Sequence, residues 1–355
     1  MIETLFVCDT PYQIIVACCI QKQKQEEAAI ILTDHTLNMR EIYNRMGKYT
    51  TLFQSVLFVE AKKYSMESNK YTNQDIDCEI LNLIESNSFM RCNHLLIGTL
   101  EPYMQRLFKV FKHDIGQKRI RGGIIEDGFS TYSYYGDVIK SYKYTNDLKE
   151  IYIFTPSIMA WEPDRPVIEI DKSCFKEDAY IEELNKIFGF YEMEDRYKEK
   201  FIVLASGYSE IAQLNNLHNI LNDLEEIAGK EEILIKKHPR ITDNLYEKYG
   251  YKTNINTVVP WEIIALNCDL SNKVIISSYS GCLYTPKLLF DKKMIGITVI
   301  NFVNQEDPLR LMDYYTKYIL KICGTGYFAP RNRDEYKKLL EKCNSNNMNK
   351  GFAII

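Results

Sequence analysis

The sequence predicts an α/β fold made of two doubly wound domains. Short apolar runs alternate with amphipathic stretches along most of the 355 residues, and this spacing is typical of βαβ units with a parallel sheet. The alternation occurs in two series, which are separated by a less regular stretch at residues 144–199 that contains several prolines. A chain of this length is long enough for two domains of ordinary size. We therefore expect two facing domains with a ligand in the cleft between them.

The first series begins at the N-terminus with an apolar run. Asp9, Thr10 and Pro11 follow that run as a turn and N-cap, from which a helix is expected to extend to about residue 24. Amphipathic spacing predicts further helices at residues 77–85 and 102–111. The apolar runs of this series predict strands at residues 4–8, 28–33, 52–59, 94–99 and 123–126.

The second series repeats the pattern in the C-terminal half of the chain. Its strands are expected at residues 201–205, 233–237, 274–277 and 294–300, and its helices at 209–228, 261–268 and 281–290. Strand-like pieces also occur between the series, at residues 151–154 and 167–170. We place the boundary at 158, within the interval 144–199, which gives domains 1–158 and 159–355.

Composition narrows the class of protein. Hydrophobic residues make up 46% and charged residues 26%, and no apolar run approaches the roughly 20 residues that a membrane span needs. The first residues lack the basic and apolar regions of a signal peptide. A net charge of −4 argues against a nucleic-acid partner, and the ten cysteines form no CxxC pair. These features predict a cytoplasmic, reduced protein without a cysteine metal site.

Polar clusters stand where several predicted strands end. In open parallel sheets, ligands bind beyond the carboxyl ends of the strands, so these positions are the first to consider. The clusters are Glu126-Asp127-Gly128, Ser206-Gly207, His238-Pro239 and Ser277-Ser278. Their shared position predicts a site more strongly than any one of them does.

Glu126 and Asp127 form an adjacent acid pair. One carboxylate can face a ligand as a general base while the other pairs locally, and Gly128 permits a sharp turn or a positive φ. Glu210 is a second candidate acid, although its position is typical of the first turn of a helix. The structural alternative for the pair is a strand-to-loop turn with solvated acids.

His238 and the two serines suit an anionic ligand. His238 follows Lys236 and Lys237 and precedes Pro239, which restricts the backbone of the histidine to extended conformations. Ser277 and Ser278 precede a predicted helix, where hydroxyls and backbone N–H groups can bind a phosphate. Ser206 and Gly207 could do the same after the first strand of the second series. A surface turn and an ordinary serine N-cap are the structural alternatives.

Taken in order, four segments carry a resemblance to a known family. LFVCDTPYQ near the N-terminus, EDG at 126–128, KKHP at 236–239 and SS at 277–278 resemble the bacterial sialyltransferases of glycosyltransferase family 52, which include lipooligosaccharide and capsule-type enzymes. The resemblance extends from residue 5 to about residue 290. It implies a GT-B fold, with two Rossmann-like domains that bind the acceptor mainly on the N-terminal side and CMP mainly on the C-terminal side.

The resemblance also implies a reaction and its partners. It implies inverting transfer of N-acetylneuraminic acid from CMP-Neu5Ac to a galactose-terminated glycan or glycolipid, with α2,3 linkage and no metal or other cofactor. Glu126 would be the general base with Asp127 supporting it, although Asp127 or Glu210 could take that role. His238, Ser277 and Ser278 would bind the CMP phosphate, and Thr10 and Gln13 would help to hold the donor sugar. Gly128, Pro239, Ser206 and Gly207 complete the expected binding residues.

Two other functions remain open from the sequence. One keeps the fold and changes the donor to another nucleotide sugar, such as UDP-glucose. The other is a non-catalytic protein that binds a nucleotide sugar or a glycan. A peripheral contact with the inner face of the plasma membrane and a homodimer are both compatible with the sequence, and motifs do not specify the acceptor or the linkage.

Overall fold

The chain forms two compact units, Met1–Tyr191 and Glu192–Ile355. The computed structural model describes residues 2–345 except 67–69, 88–90, 115, 117–119, 134, 142–144, 194–196, 206–209, 239–243, 279 and 304–319. Each unit is built around one parallel sheet. The prediction of two doubly wound α/β domains is therefore confirmed.

The first unit contains a seven-stranded sheet in the order β3-β2-β1-β4-β5-β6-β7. All neighbouring strands are parallel, and β1 and β2 are almost entirely buried, as expected for a sheet covered on both faces. The order changes direction between β1 and β4, which is the switch point of a Rossmann-type sheet. The strands are β1 Ile2–Cys8, β2 Ala28–Thr33, β3 Ser55–Val59, β4 Cys92–Ile97, β5 Arg121–Ile125, β6 Leu148–Ile153 and β7 Val167–Glu169.

Helices connect these strands. Helix α1 begins after Thr10, whose side chain accepts a hydrogen bond from the Gln13 backbone N–H, with Pro11 at its first position. The helices of this unit are α1 Pro11–Lys24, α2 Met39–Tyr49, α3 Lys62–Met66, α4 Asn73–Ser86, α5 Pro102–Lys109, α6 Phe129–Ser133, α7 Tyr135–Ser141 and α8 Asp178–Phe188.

The division between the units falls after residue 191, later than the expected boundary at 158 and within the interval 144–199. Two contacts explain why residues 159–191 belong to the first unit. Strand β7 pairs with β6 through Ile151 and Val167, and so extends the first sheet. On α8, the Glu183 carboxylate accepts a hydrogen bond from the Thr51 backbone N–H at 2.6 Å, which ties this helix to the chain after α2.

The second unit repeats the strand order of the first. Its parallel sheet has the order β10-β9-β8-β11-β12-β13, which is the Rossmann strand order when β8 is taken as the first strand. The strands are β8 Phe201–Leu204, β9 Ile233–Lys236, β10 Lys252–Thr253, β11 Val274–Ser277, β12 Ile295–Thr298 and β13 Tyr327–Phe328. The helices are α9 Glu210–Ala228, α10 Leu245–Lys248, α11 Trp261–Asn267, α12 Thr285–Phe290, α13 Ile300–Val303, α14 Leu320–Cys323 and α15 Arg333–Asn344.

Helix α15 packs against α9 on this second sheet. Tyr336 and Leu340 lie in the hydrophobic core with Leu224, and the Arg333 guanidinium donates a hydrogen bond to the Asp223 carboxylate at 2.6 Å. Within the described residues, no helix is both long and apolar enough to cross a bilayer.

Candidate active site

The carboxyl edge of the first sheet brings together polar residues from several strands. Asp9 follows β1, Thr33 ends β2, Thr99 follows β4, Glu126 follows β5 and Phe154 follows β6. Because the sheet is parallel, these strand ends lie at one edge, beside the switch point between β1 and β4. This edge holds the acid pair predicted from the sequence, together with Asp9, Tyr12 and Tyr132, none of which is among the predicted site residues.

The Glu126 carboxylate accepts hydrogen bonds from three donors. The hydroxyls of Tyr12 and Tyr132 donate to its two carboxylate oxygens, and the Phe154 backbone N–H donates at 2.8 Å. Its own backbone N–H donates to the Tyr152 carbonyl at 2.9 Å, which continues the β5–β6 ladder and fixes the direction of the side chain. Only 2% of Glu126 is exposed.

Burial controls the ionisation of Glu126. Loss of water disfavours the charged carboxylate and raises its pKa to about 7, although the hydrogen bonds from Tyr12 and Tyr132 and the nearby Lys172 act in the opposite direction. A carboxyl group that titrates near neutral pH can accept a proton in one step and release it in another. The geometry therefore suits Glu126 to acid–base chemistry, reached through a hydrogen-bond partner because the carboxyl is buried.

Gln13 connects the acid pair to the first strand. Its side-chain amide donates to the Asp127 carboxylate at 2.6 Å, and its amide oxygen accepts the Asp9 backbone N–H at 2.6 Å. Gly98, at the end of β4, makes room for this amide, because a Cβ atom there would lie 2.1 Å from Gln13 Cδ. Gln13 is thus a positioning residue for Asp127, which is half-buried and more accessible than Glu126.

Asp9 is a second buried acid at this edge. The hydroxyls of Thr33 and Thr99 donate to its carboxylate, and burial raises its pKa above the ordinary value. From the sequence, Asp9 is expected only to take part in a turn before α1. Asp9 could have been predicted as a site residue from its position directly after a buried strand, because Glu126 was predicted from the same kind of position.

Two of the predicted binding residues shape the backbone. Gly128 has φ of +65°, a conformation that favours glycine, and it leads into α6. The side chain of Tyr12 lies close by, 3.9 Å from where a Cβ of Gly128 would stand. Thr10 caps α1 through its hydroxyl, which accepts the Gln13 N–H at 3.2 Å.

The second unit places the predicted serines at the end of β11. The Ser277 hydroxyl is buried and accepts the Ser280 backbone N–H at 3.1 Å, while the Ser280 hydroxyl accepts the Cys282 N–H at 3.3 Å. Ser278 is half-buried, and its carbonyl accepts a hydrogen bond from Thr298 at 2.8 Å. Ser277 therefore shapes the turn, and Ser278 has the more accessible hydroxyl.

His238 is half-buried two residues beyond the end of β9. Its predicted neighbours Pro239, Ser206 and Gly207 lie outside the described residues, as does the side chain of Glu210, whose backbone begins α9.

A buried cluster next to the serine turn did not stand out in the sequence. Glu262, the second residue of α11, accepts a hydrogen bond from Thr285 at 3.2 Å and lies near Cys282. Burial raises its pKa, against the opposing charge of Lys236, which is itself only 6% exposed at the end of β9. No motif marks Glu262, Cys282 or Thr285, because they meet each other and Lys236 of the KKHP segment only through the fold.

Asp75 and Asp77, whose spacing resembles a metal-binding DxD, have structural partners. Asp75 completes a capping box with Thr72 at the start of α4, and Asp77 accepts hydrogen bonds from Arg106 and Lys109. In the described parts of the chain, no group of three or more histidine, cysteine or acidic side chains is arranged to hold a metal ion.

Comparison with known proteins identifies the fold. No family model and no curated protein matches the chain. Among solved structures, a putative UDP-N-acetylglucosamine 2-epimerase from Listeria monocytogenes superposes with a TM-score of 0.56 at 10% identity, covering 97% of this chain and 88% of the other. The UDP-GlcNAc 2-epimerase from Methanocaldococcus jannaschii, in complex with UDP-GlcNAc and UDP, gives 0.55 at 14% identity, covering 98% and 93%. At this identity the likeness establishes a GT-B fold.

These comparisons correct the family resemblance. The expected assignments to family 52, to an α2,3-sialyltransferase and to a protein that binds CMP-Neu5Ac are contradicted, because the similar solved structures are UDP-GlcNAc 2-epimerases. The physical reason lies in the motifs. EDG, HP and SS are short polar groups that end parallel strands, so their order along the chain reflects the fold and does not identify the nucleotide.

Proposed function

We propose that the chain is a nucleotide-sugar enzyme of GT-B fold that uses a UDP-sugar and transfers its sugar to an acceptor hydroxyl. The observation that carries this proposal is the buried Glu126, whose pKa is raised to about 7 at the carboxyl edge of the first sheet. The UDP-GlcNAc and UDP bound to the Methanocaldococcus jannaschii protein support the choice of nucleotide. The donor is thus another nucleotide sugar, the alternative that the sequence left open.

Tyr12 provides the route for the proton. Its half-buried hydroxyl donates to Glu126, so it can take a proton from an acceptor hydroxyl while passing its own to the carboxylate. The acceptor oxygen then attacks the anomeric carbon, and the bond from that carbon to the diphosphate oxygen breaks. UDP leaves with the bonding electrons, and the proton remains on Glu126. Asp127, held by Gln13, orients the acceptor.

The second unit supplies polar groups for the diphosphate. His238 and Ser278 are half-buried beyond β9 and β11, and both can donate hydrogen bonds to phosphate oxygens. Donors fixed at a leaving diphosphate stabilise the charge that develops in the transition state. We propose that Ser277 acts through the turn that it shapes, and that the reaction needs no metal ion.

A second candidate is epimerisation of the sugar of UDP-GlcNAc. The similar structures from Listeria monocytogenes and Methanocaldococcus jannaschii favour it, since both are described as 2-epimerases. A buried carboxyl that titrates near neutral pH could also remove and return a proton on a sugar ring.

Product analysis separates the two reactions. Purified protein would be incubated with UDP-GlcNAc, UDP-glucose or UDP-galactose in EDTA, with and without saccharide acceptors, and followed by mass spectrometry and NMR. We expect release of UDP that depends on the acceptor, with a product heavier by one sugar. A changed sugar without acceptor would establish epimerisation instead. No chemical change with folded protein, in EDTA or with added Mg²⁺, would contradict both enzymatic functions.

A further inference from the structure

Two cysteines far apart in the sequence touch in the first unit. Cys19 lies in the middle of α1, and Cys174 lies in a single 3₁₀ turn at Ser173–Lys176. Their sulfur atoms are 2.8 Å apart, although 155 residues separate them in the chain. Cys19 is fully buried and Cys174 is 3% exposed.

Several contacts hold the two segments together around this pair. The Gln23 side chain donates to the Asp171 carbonyl at 2.7 Å, and the Cys19 thiol donates to the same carbonyl at 3.3 Å. One turn away, Lys22 forms an ion pair with Glu177 at 3.0 Å. The segment at 171–177 is thus docked on α1 on both sides of Cys174, which keeps the two sulfurs next to each other.

We propose that Cys19 and Cys174 form an oxidation site, a thiol pair that hydrogen peroxide converts to a disulfide that crosslinks α1 to the 173–176 turn. The sulfur atoms need to approach by only about 0.8 Å to reach the bond length of a disulfide. Cys174 lies in a 3₁₀ turn and not in a strand, so this movement requires no change in the sheet.

The reaction balances in two steps. The Cys174 thiol gives up its proton as its sulfur attacks one oxygen of hydrogen peroxide. The O–O bond breaks, the sulfur becomes a sulfenic acid, and the departing hydroxide takes up that proton and leaves as water. The Cys19 sulfur then attacks the sulfenic sulfur, the S–O bond breaks, and a second water leaves with the proton of the Cys19 thiol. Two thiols lose two electrons and two protons in total, and the peroxide is reduced to two waters.

Access determines the order and the rate of these steps. Ser173 and Lys176, which flank the Cys174 side of the pair, are exposed, so a local opening of this turn admits peroxide. Burial holds the pKa of the Cys19 thiol well above its ordinary value, so this thiol is a poor nucleophile toward peroxide. Cys19 reacts in the second step, with the sulfenic acid of the adjacent Cys174. The site should therefore oxidise slowly, over minutes to hours rather than seconds.

Peptide mapping tests the proposal. Full-length protein would be treated with hydrogen peroxide, alkylated with N-ethylmaleimide under denaturing conditions, digested without reductant and analysed by mass spectrometry. We expect one dominant crosslinked peptide that joins Cys19 to Cys174 and disappears with dithiothreitol. The crosslink should raise the Tm of the first unit by roughly 4–15 °C, because it closes a long loop in the unfolded chain.

Matched variants identify the pair. Cys174→Ser should abolish both the crosslinked peptide and the peroxide-dependent rise in Tm, whereas Cys18→Ala, at the adjacent buried cysteine, should retain both. Two outcomes would overturn the proposal in wild-type protein, whatever the stability of the variants. One is a crosslink that uses other cysteines, and the other is peroxide treatment that leaves Cys19 and Cys174 as alkylated thiols or converts Cys174 only to sulfinic acid.

Discussion

Replacing Glu126 by glutamine is expected to lower the turnover of a UDP-sugar by about 10²–10⁴-fold. Glutamine keeps the size of the side chain. Its oxygen can still accept the Phe154 N–H, while its amide nitrogen replaces the oxygen that faces Tyr12 and can donate to that hydroxyl. The fold should persist, but the side chain can no longer accept a proton. Steady-state kinetics would show the loss in kcat, with UDP binding unchanged as the control.

The pH profile distinguishes a proton acceptor from a structural residue. Burial raises the Glu126 pKa to about 7, so the active carboxylate increases as the pH rises, and wild-type kcat should increase through that value. Tyr12→Phe removes a hydrogen bond that lowers this pKa, so its residual activity should rise only at higher pH. A Tyr12→Phe profile identical to wild type, or full activity in Glu126→Gln, would contradict this mechanism.

Replacing Gly98 by alanine is expected to lower the free energy of unfolding by about 1–3 kcal/mol. The added methyl group would stand 2.1 Å from Gln13 Cδ and 2.2 Å from its amide oxygen, closer than atoms can approach. Gln13 is buried and would have to leave its contacts with Asp9 and Asp127. The variant should therefore lose activity as well as stability, both measurable by urea unfolding and the turnover assay.

Gly47→Ala is the matched control. Gly47 lies in α2, and a Cβ atom there would have no atom within 4 Å. Alanine has the higher helix propensity, so this variant should be more stable by about 0.5–1 kcal/mol, with unchanged turnover. Equal stability of the two variants would show that the contact between Gly98 and Gln13 does not constrain the site.

The sequence predicted the sheets well because buried parallel strands are continuous apolar runs. The run at 28–33 coincides with β2, and the run at 274–277 coincides with β11. The edge strands β10 and β13 are two residues long, so neither leaves a periodic signal. The late division between the units depends on the pairing of β7 with β6 and on the contact of α8 with the chain after α2. Local sequence patterns do not contain these tertiary contacts.

The candidate active site was predictable only in part, because some of its contacts also join residues that are far apart in the sequence. Glu126 and Asp127 stand at a strand end, which sequence patterning can identify. The tyrosine at position 12 and the glutamate at 126 are separated by 114 residues, so their hydrogen bond exists only once the parallel strands have assembled. The nucleotide was assigned wrongly from short motifs, because the fold places such polar groups at strand ends whatever the ligand.

Nucleotide binding tests the central claim most directly. Calorimetric titration of the protein with UDP, UMP and CMP in EDTA needs no acceptor. Comparing UMP with CMP measures the contribution of the base to binding, and comparing UDP with UMP measures that of the second phosphate. We predict that UDP binds most tightly, by about tenfold or more over CMP, a difference of about 1.4 kcal/mol. Binding of CMP as tight as that of UDP, or no binding of either nucleotide to folded protein, would contradict the assignment of a UDP-sugar.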